Sequence, residues 1–167
     1  FFFLKRKQVT LLSMIAFISV ITGSHIYKNN MAQIKTQGEI IKIKKACQIT
    51  DAIFEKIIKN FKFKTEVELR DFILTEIKKR NLKPSFPPIV SSYKNAGNEI
   101  HPQSTNEKLK RFVIIDFGVI YEKYMSDMTR TIYVGNPSKE EKAIYNLLLQ
   151  SEELGINISS PGMHCAD

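Results

Sequence analysis

Two aspartates sit where an ordinary strand would not place them. The segment from Phe112 to Val134 reads FVIIDFGVIYEKYMSDMTRTIYV, and each of its two apolar runs carries one acid, Asp116 in the first and Asp127 beside the second. Val113, Ile114, Ile115, Phe117, Val119 and Ile120 have the composition of a strand buried on both faces, and Met128 to Val134 repeats it. The polar pair Glu122-Lys123 between the runs predicts a β-hairpin that turns at or beside it. Asp116 and Asp127 then fall nearly opposite each other on one face, roughly 5 Å apart at Cβ. Carboxylates that close repel unless one is protonated or a cation lies between them. A hard divalent ion, or two about 3.5–4 Å apart, would resolve the conflict and supply a Lewis acid and an activated water. The plainer alternative makes one Asp a turn or strand-edge residue and the other a cap.

The motifs narrow this choice. IDFG (115–118), SDMTRT (126–131) and VGNPS (134–138) in register resemble the pita-bread metallopeptidases, the family of methionine aminopeptidases, aminopeptidase P and prolidase. The resemblance implies an α+β fold, the N-terminal half of a pita-bread (creatinase/aminopeptidase) domain, with an antiparallel β-hairpin flanked by amphipathic helices. It implies Asp116 as a ligand to one of two divalent metal ions (Mn, Co, Fe or Zn) and Asp127 as the bridge between them. The form SDMTRT resembles the proline-specific branch.

His101 precedes Pro102 in a loop, and a lone loop histidine is by itself a surface residue. Its distance from Asp116, and the Thr105…Lys108-Leu109 that follows, match a histidine which in this family lines the substrate pocket. A neutral imidazole there could donate to a carbonyl or tetrahedral oxyanion. The residues around it read H-P-Q-S-T, where relatives more often show H-x-x-P-T, and the preceding loop is one residue longer than the commonest form.

The elements that must hold these groups are legible from periodicity. Ile40, Ile43, Cys47, Phe54, Ile57, Ile58 and Phe61 recur at helical spacing over about six turns. Thr65 with Glu68 has the form of a capping box, and Leu69, Phe72, Ile73 and Ile77 continue a second apolar face to about Arg80. Lys42, Lys44-Lys45 and Lys78-Lys79-Arg80 are expected on solvated faces, the last group also suiting a helix C-terminus. After Pro87-Pro88 a short strand is expected over Ile89 to Ser92, followed by a loop over Lys94 to Asn98. Ser138 with Glu141 opens a last helix whose predicted buried stripe is Ile144, Leu147, Leu148 and Leu154, closed by Pro161-Gly162.

A formal net charge of +8 would permit a polyanionic partner, but the lysines are dispersed, with no compact basic block interleaved with aromatics. Nucleic acid is therefore not the expected partner. Two cysteines, Cys47 and Cys165, imply no disulfide framework and fit a reducing, cytoplasmic compartment. Residues 1–33 open on Phe1, and Lys5-Arg6-Lys7 precedes an apolar run from Val9 to Gly23. This segment is either the remnant of a preceding domain or a short hydrophobic anchor or signal, the only basis for a membrane association. Neither His25 nor His164 is expected to do chemistry.

Residues 34–167 are thus expected to be the front half of a catalytic domain. The resemblance implies that the remaining ligands, one histidine and two glutamates, come from a later half that repeats the fold, so this stretch is expected to be inactive alone. The complete protein would be a dinuclear exopeptidase acting through metal-activated water on a peptide with proline at its second position, with a homo-oligomer among its expected states. The competing reading from another class is a non-catalytic pita-bread module that binds protein or nucleic acid, which would have no use for paired carboxylates.

Overall fold

Thr36 starts the first helix by a reciprocal bond. Its Oγ1 accepts from the Glu39 amide at 3.3 Å, and Glu39 Oε2 accepts from the Thr36 amide at 2.7 Å. In this computed structural model, which describes residues 35–99, 101–160 and 162, α1 then runs Gln37–Lys59. It buries Ala46, Thr50, Ile53 and Ile57, a stripe one step round from the predicted one, so Cys47 is exposed. α2, Glu66–Lys78, is capped by Thr65, whose side chain accepts from Glu68 N at 3.2 Å. The box is only half formed, because Glu68 Oε2 turns back to the Lys64 amide at 2.7 Å.

The basic end of α2 is not a purely solvated face. Lys79 and Arg80, together with Lys56 from α1, converge on the buried Glu76 at 2.8–3.0 Å. These ion pairs tie the two helices together.

β1 (Lys83–Pro84) and β2 (Ile89–Ser92, as predicted) follow. The expected loop after β2 contains a short helix, α3 (Tyr93–Asn98). Turn-forming residues in sequence do not distinguish an open loop from a single helical turn closed on itself.

β3 (Arg111–Phe117), β4 (Val119–Tyr121), β5 (Tyr124–Met125) and β6 (Met128–Val134) form one long hairpin. A single register holds from Arg111↔Val134 through Phe117↔Met128 to Tyr121↔Tyr124. The turn residues are Glu122 and Lys123, both at positive φ (46° and 73°), as a two-residue turn that matches the strand twist requires. β2 pairs along β3 and β1 along β4, giving the sheet orders β2-β3-β6 and β1-β4-β5.

Gly118 marks the change from one sheet to the other. A Cβ there would collide with the Ser126 carbonyl and the Ser85 hydroxyl, so the close approach of three backbone segments demands glycine.

One face of the hairpin makes the core. Val113, Ile115, Phe117, Val119 and Met128 pack with Val90, Leu109 and the stripes of α1 and α2. The other face, carrying Phe112, Ile114 and Asp116, is only partly covered, whereas composition had predicted burial on both. α4 (Lys139–Ile158) begins with the predicted capping box, Ser138 with Glu141. It reaches the sheet at its start, where Glu141 pairs with Arg111 at 2.6 Å and accepts from Tyr133 Oη at 2.9 Å. Its predicted buried stripe is instead exposed: Ile144, Leu147, Leu148 and Leu154 are 49–63% accessible. Amphipathicity marks which side of a helix is apolar, and no described element lies against this side.

Residues 1–34, with the Val9–Gly23 run and His25, lie outside the described residues, as do Pro161, His164 and Cys165. Among the described residues no helix is long and apolar enough to cross a membrane.

Candidate metal centre

The hairpin register fixes how the two aspartates meet. Asp116 is the penultimate residue of β3 and lies opposite Thr129. Extending the same register past Phe117↔Met128 sets Asp127 opposite Gly118. The acids are therefore diagonal neighbours on one face, offset by two residues across the ladder. The diagonal remains within reach of a shared bond or a shared cation.

Directly across from Asp127, the Ser126 carbonyl and the Ser85 hydroxyl occupy the place that a side chain at Gly118 would take. On the other flank of β3, Ile89 of β2 stands opposite Asp116, which is half-buried.

The electrostatics follow from this geometry. Burial, with the Asp127 charge as second cause, pushes the Asp116 carboxyl up to about 6. A bond from the Thr129 side chain and the charge of His101 act in the opposite direction. Asp127, more exposed, is also raised by desolvation, while its bond with Asp116 lowers it. Without a cation, the pair therefore favours a proton on Asp116, donated toward Asp127, below about pH 6. Asp116 Oδ1 is buried and has no hydrogen-bond partner. A buried, unsatisfied carboxylate oxygen beside a second carboxylate fits a hard divalent cation: the ion would satisfy the oxygen and remove the repulsion. Among the described residues no group of three or more His, Cys, Asp or Glu is placed to hold a metal ion.

Neighbouring residues hold Asp127 in place. Ser126 is buried, its amide donates to Val119 O at 3.0 Å and its Oγ accepts from Val119 N at 3.0 Å. The same Oγ lies 2.6 Å from Thr50 Oγ1 on α1, and Ser85 Oγ donates to the Ser126 carbonyl at 2.9 Å. Sequence reasoning passed over Thr50, Ser126 and Thr129. The signal available was a hydroxyl residue inside an otherwise apolar stripe or strand, which needs a partner when buried.

His101 lies in the loop between α3 and β3 and is exposed, close enough for its charge to bear on Asp116. The structure thus brings all three predicted residues to one end of the sheet.

Residues 41–167 match the model of metallopeptidase family M24. The chain belongs to this family. An uncharacterized peptidase of Staphylococcus epidermidis is 40% identical over 144 residues, which are 83% of this chain and 40% of that protein. The Xaa-Pro dipeptidase from Bacillus anthracis superposes with a TM-score of 0.70 at 36% identity, covering 78% of this chain and 38% of the dipeptidase. X-Pro aminopeptidase from Thermotoga maritima gives 0.70 at 27% identity, covering 90% and 46%. The M24 chain is α+β and has the pita-bread fold of these neighbours, of which it spans the N-terminal part. It covers less than half the length of each of these proteins.

Proposed function

We propose that the complete protein containing this chain is a dinuclear metal-dependent exopeptidase that cleaves the bond between an N-terminal residue and proline. The reading is carried by Asp116 and Asp127: two carboxylates on one face of the hairpin, one with a buried oxygen that lacks a partner. Family membership and the Xaa-Pro peptidases among the structural neighbours support the reaction class and the preference for proline. Bound divalent ions would supply Lewis acidity and an activated water.

The residues of this chain have distinct tasks in that reading. Asp127 would bridge the ions, Asp116 would hold one of them, and Thr129 would keep the Asp116 carboxylate oriented. His101 would face the reacting peptide group from the loop and donate a hydrogen bond to its oxygen. Residues 34–167 supply part of the catalytic domain and need the rest of it for turnover.

The test is metal content and hydrolysis of Xaa-Pro peptides by the complete protein. Asp127→Asn should abolish turnover and lower bound metal, and a variant that kept both would sink the bridging role. His101→Ala should cut turnover roughly 100-fold, the scale of losing one donor to a developing oxyanion, while metal content stays unchanged. Loss of metal from that variant would move His101 from the pocket to the ligand set.

A further inference from the structure

The least expected charge in the molecule is Glu66. It is the first residue of α2, it is fully buried, and no cation pairs with it among the described residues. Its carboxylate is satisfied by five donors. Oε1 accepts from Ser92 N at 2.7 Å and Ser92 Oγ at 3.1 Å. Oε2 accepts from Asn95 Nδ2 at 2.8 Å, Thr105 N at 2.9 Å and Thr105 Oγ1 at 2.9 Å. Neighbouring bonds join the same segments: Val67 N donates to Thr105 O at 3.1 Å, and Asn95 Nδ2 also donates to Gln103 O at 3.0 Å.

These partners are the two ends of one excursion of the chain and a residue near its start. Ser92 ends β2, Asn95 lies in α3, and Thr105 begins the return toward β3. His101 hangs between Asn95 and Thr105. A loop that leaves a sheet and returns has many closed conformations, and this one is pegged to a single carboxylate on both sides of His101, by Ser92 and Asn95 before it and Thr105 after it. The pegs also fix the loop relative to the strand that carries Asp116, because β2 pairs with β3 up to Ile89↔Asp116 and Val90 N donates to Ser104 Oγ at 3.1 Å.

We infer that Glu66 is a positioning residue for His101: its carboxylate fixes the loop so that the imidazole faces the Asp116–Asp127 pair. This rests on the pocket role proposed for His101. The site demands an acceptor at both oxygens. An amide nitrogen placed at Oε1 would oppose the Ser92 N–H, and one placed at Oε2 would oppose the N–H groups of Asn95 and Thr105. Glutamine has nearly the shape of glutamate and still cannot fill the role.

The experiment is a double-mutant cycle in the complete protein with Glu66→Gln and His101→Ala, reading kcat, KM, bound metal and melting temperature. Glu66→Gln should lower kcat roughly 10- to 100-fold, the scale of misplacing a catalytic group by about 1 Å, with KM within about twofold and metal content unchanged. In the His101→Ala background the same change should cost less than about twofold more, since the group it positions is gone. A merely structural Glu66 predicts the same fold loss in both backgrounds, and that result, or loss of metal, would overturn the inference. If His101→Ala retains full activity while Glu66→Gln does not, the pocket role of His101 fails, and this inference with it. If only Glu66→Gln is silent, the pocket role stands and the positioning role fails. Should Glu66→Gln not fold, Asn95→Ala removes one peg from a half-buried position. It should give a smaller kcat loss that also vanishes without His101, and a loss that persists would overturn the inference.

Discussion

The hydroxyls of Thr50 and Ser126 meet at 2.6 Å, joining the middle of the first helix to the residue just before Asp127. Both are buried, and Thr50 Oγ1 donates to Ala46 O at 3.1 Å, so the contact ties the chain entering β6 to α1. Second-layer hydrogen bonds of this kind commonly set metal affinity through the ligand they orient. Thr50→Val keeps the shape and removes the bond. In the complete protein it should weaken divalent-metal binding about 10-fold. Titration of the metal-free protein measures this, and an unchanged affinity would confine the bond to stability.

Asp116 predicts how metal-free stability varies with pH. Its folded value of about 6 lies above the ordinary 3.8, so between these values the folded state holds the proton more tightly than the unfolded state. Stability should therefore fall as pH rises from about 4 to about 6, and level off above. Saturating divalent ion should remove or reverse that fall by stabilising the ionised pair, and Asp116→Asn should flatten it. Melting temperature against pH, with and without chelator, decides the matter: a chelated protein that gains stability across this window would contradict the shared proton.

Local chemistry made the scaffold readable. The β2 bounds, the Glu122-Lys123 turn and the Ser138 cap each follow from residues within a few positions of one another. The offset of Asp127 from Asp116 was harder, because moving the turn centre by one residue slides the ladder by two. Glu66 was invisible for another reason. Its partners are 26 to 39 residues away, and an acid at a helix start has the same local signature whether it faces water or a buried loop. The exposed apolar side of α4 was misjudged as buried because periodicity identifies the side and not what covers it.

Gly118 should tolerate no side chain. Added Cβ atoms meet the Ser126 carbonyl and the Ser85 hydroxyl, and the neighbour that must yield is backbone. Gly118→Ala should cost roughly 2–4 kcal/mol, at the upper end of overpacking penalties, because the strand pair must part to admit it. Denaturant unfolding gives the value directly. A loss under about 1 kcal/mol would mean that the hairpin can open there without strain, and would weaken the claim that the site needs this approach.

Glu76 carries the only acid on α2 that gathers three cations, with Lys56, Lys79 and Arg80 all within 3.0 Å. These partners, Lys56 first, hold its carboxyl down to about 2. A depressed acid stabilises the fold above its unfolded value, so its contribution should be complete above about pH 4.5 and be lost as pH falls toward 2. The lysines reach well into solvent, which screens the pairs, and the net effect is correspondingly modest. Glu76→Gln should lower stability by about 1–2 kcal/mol at pH 7 and by much less at pH 3, with the gap shrinking in high salt. Parallel unfolding curves for the two proteins at both pH values test this. An equal loss at pH 7 and pH 3 would assign the effect to packing around the buried stem and not to the ion pairs.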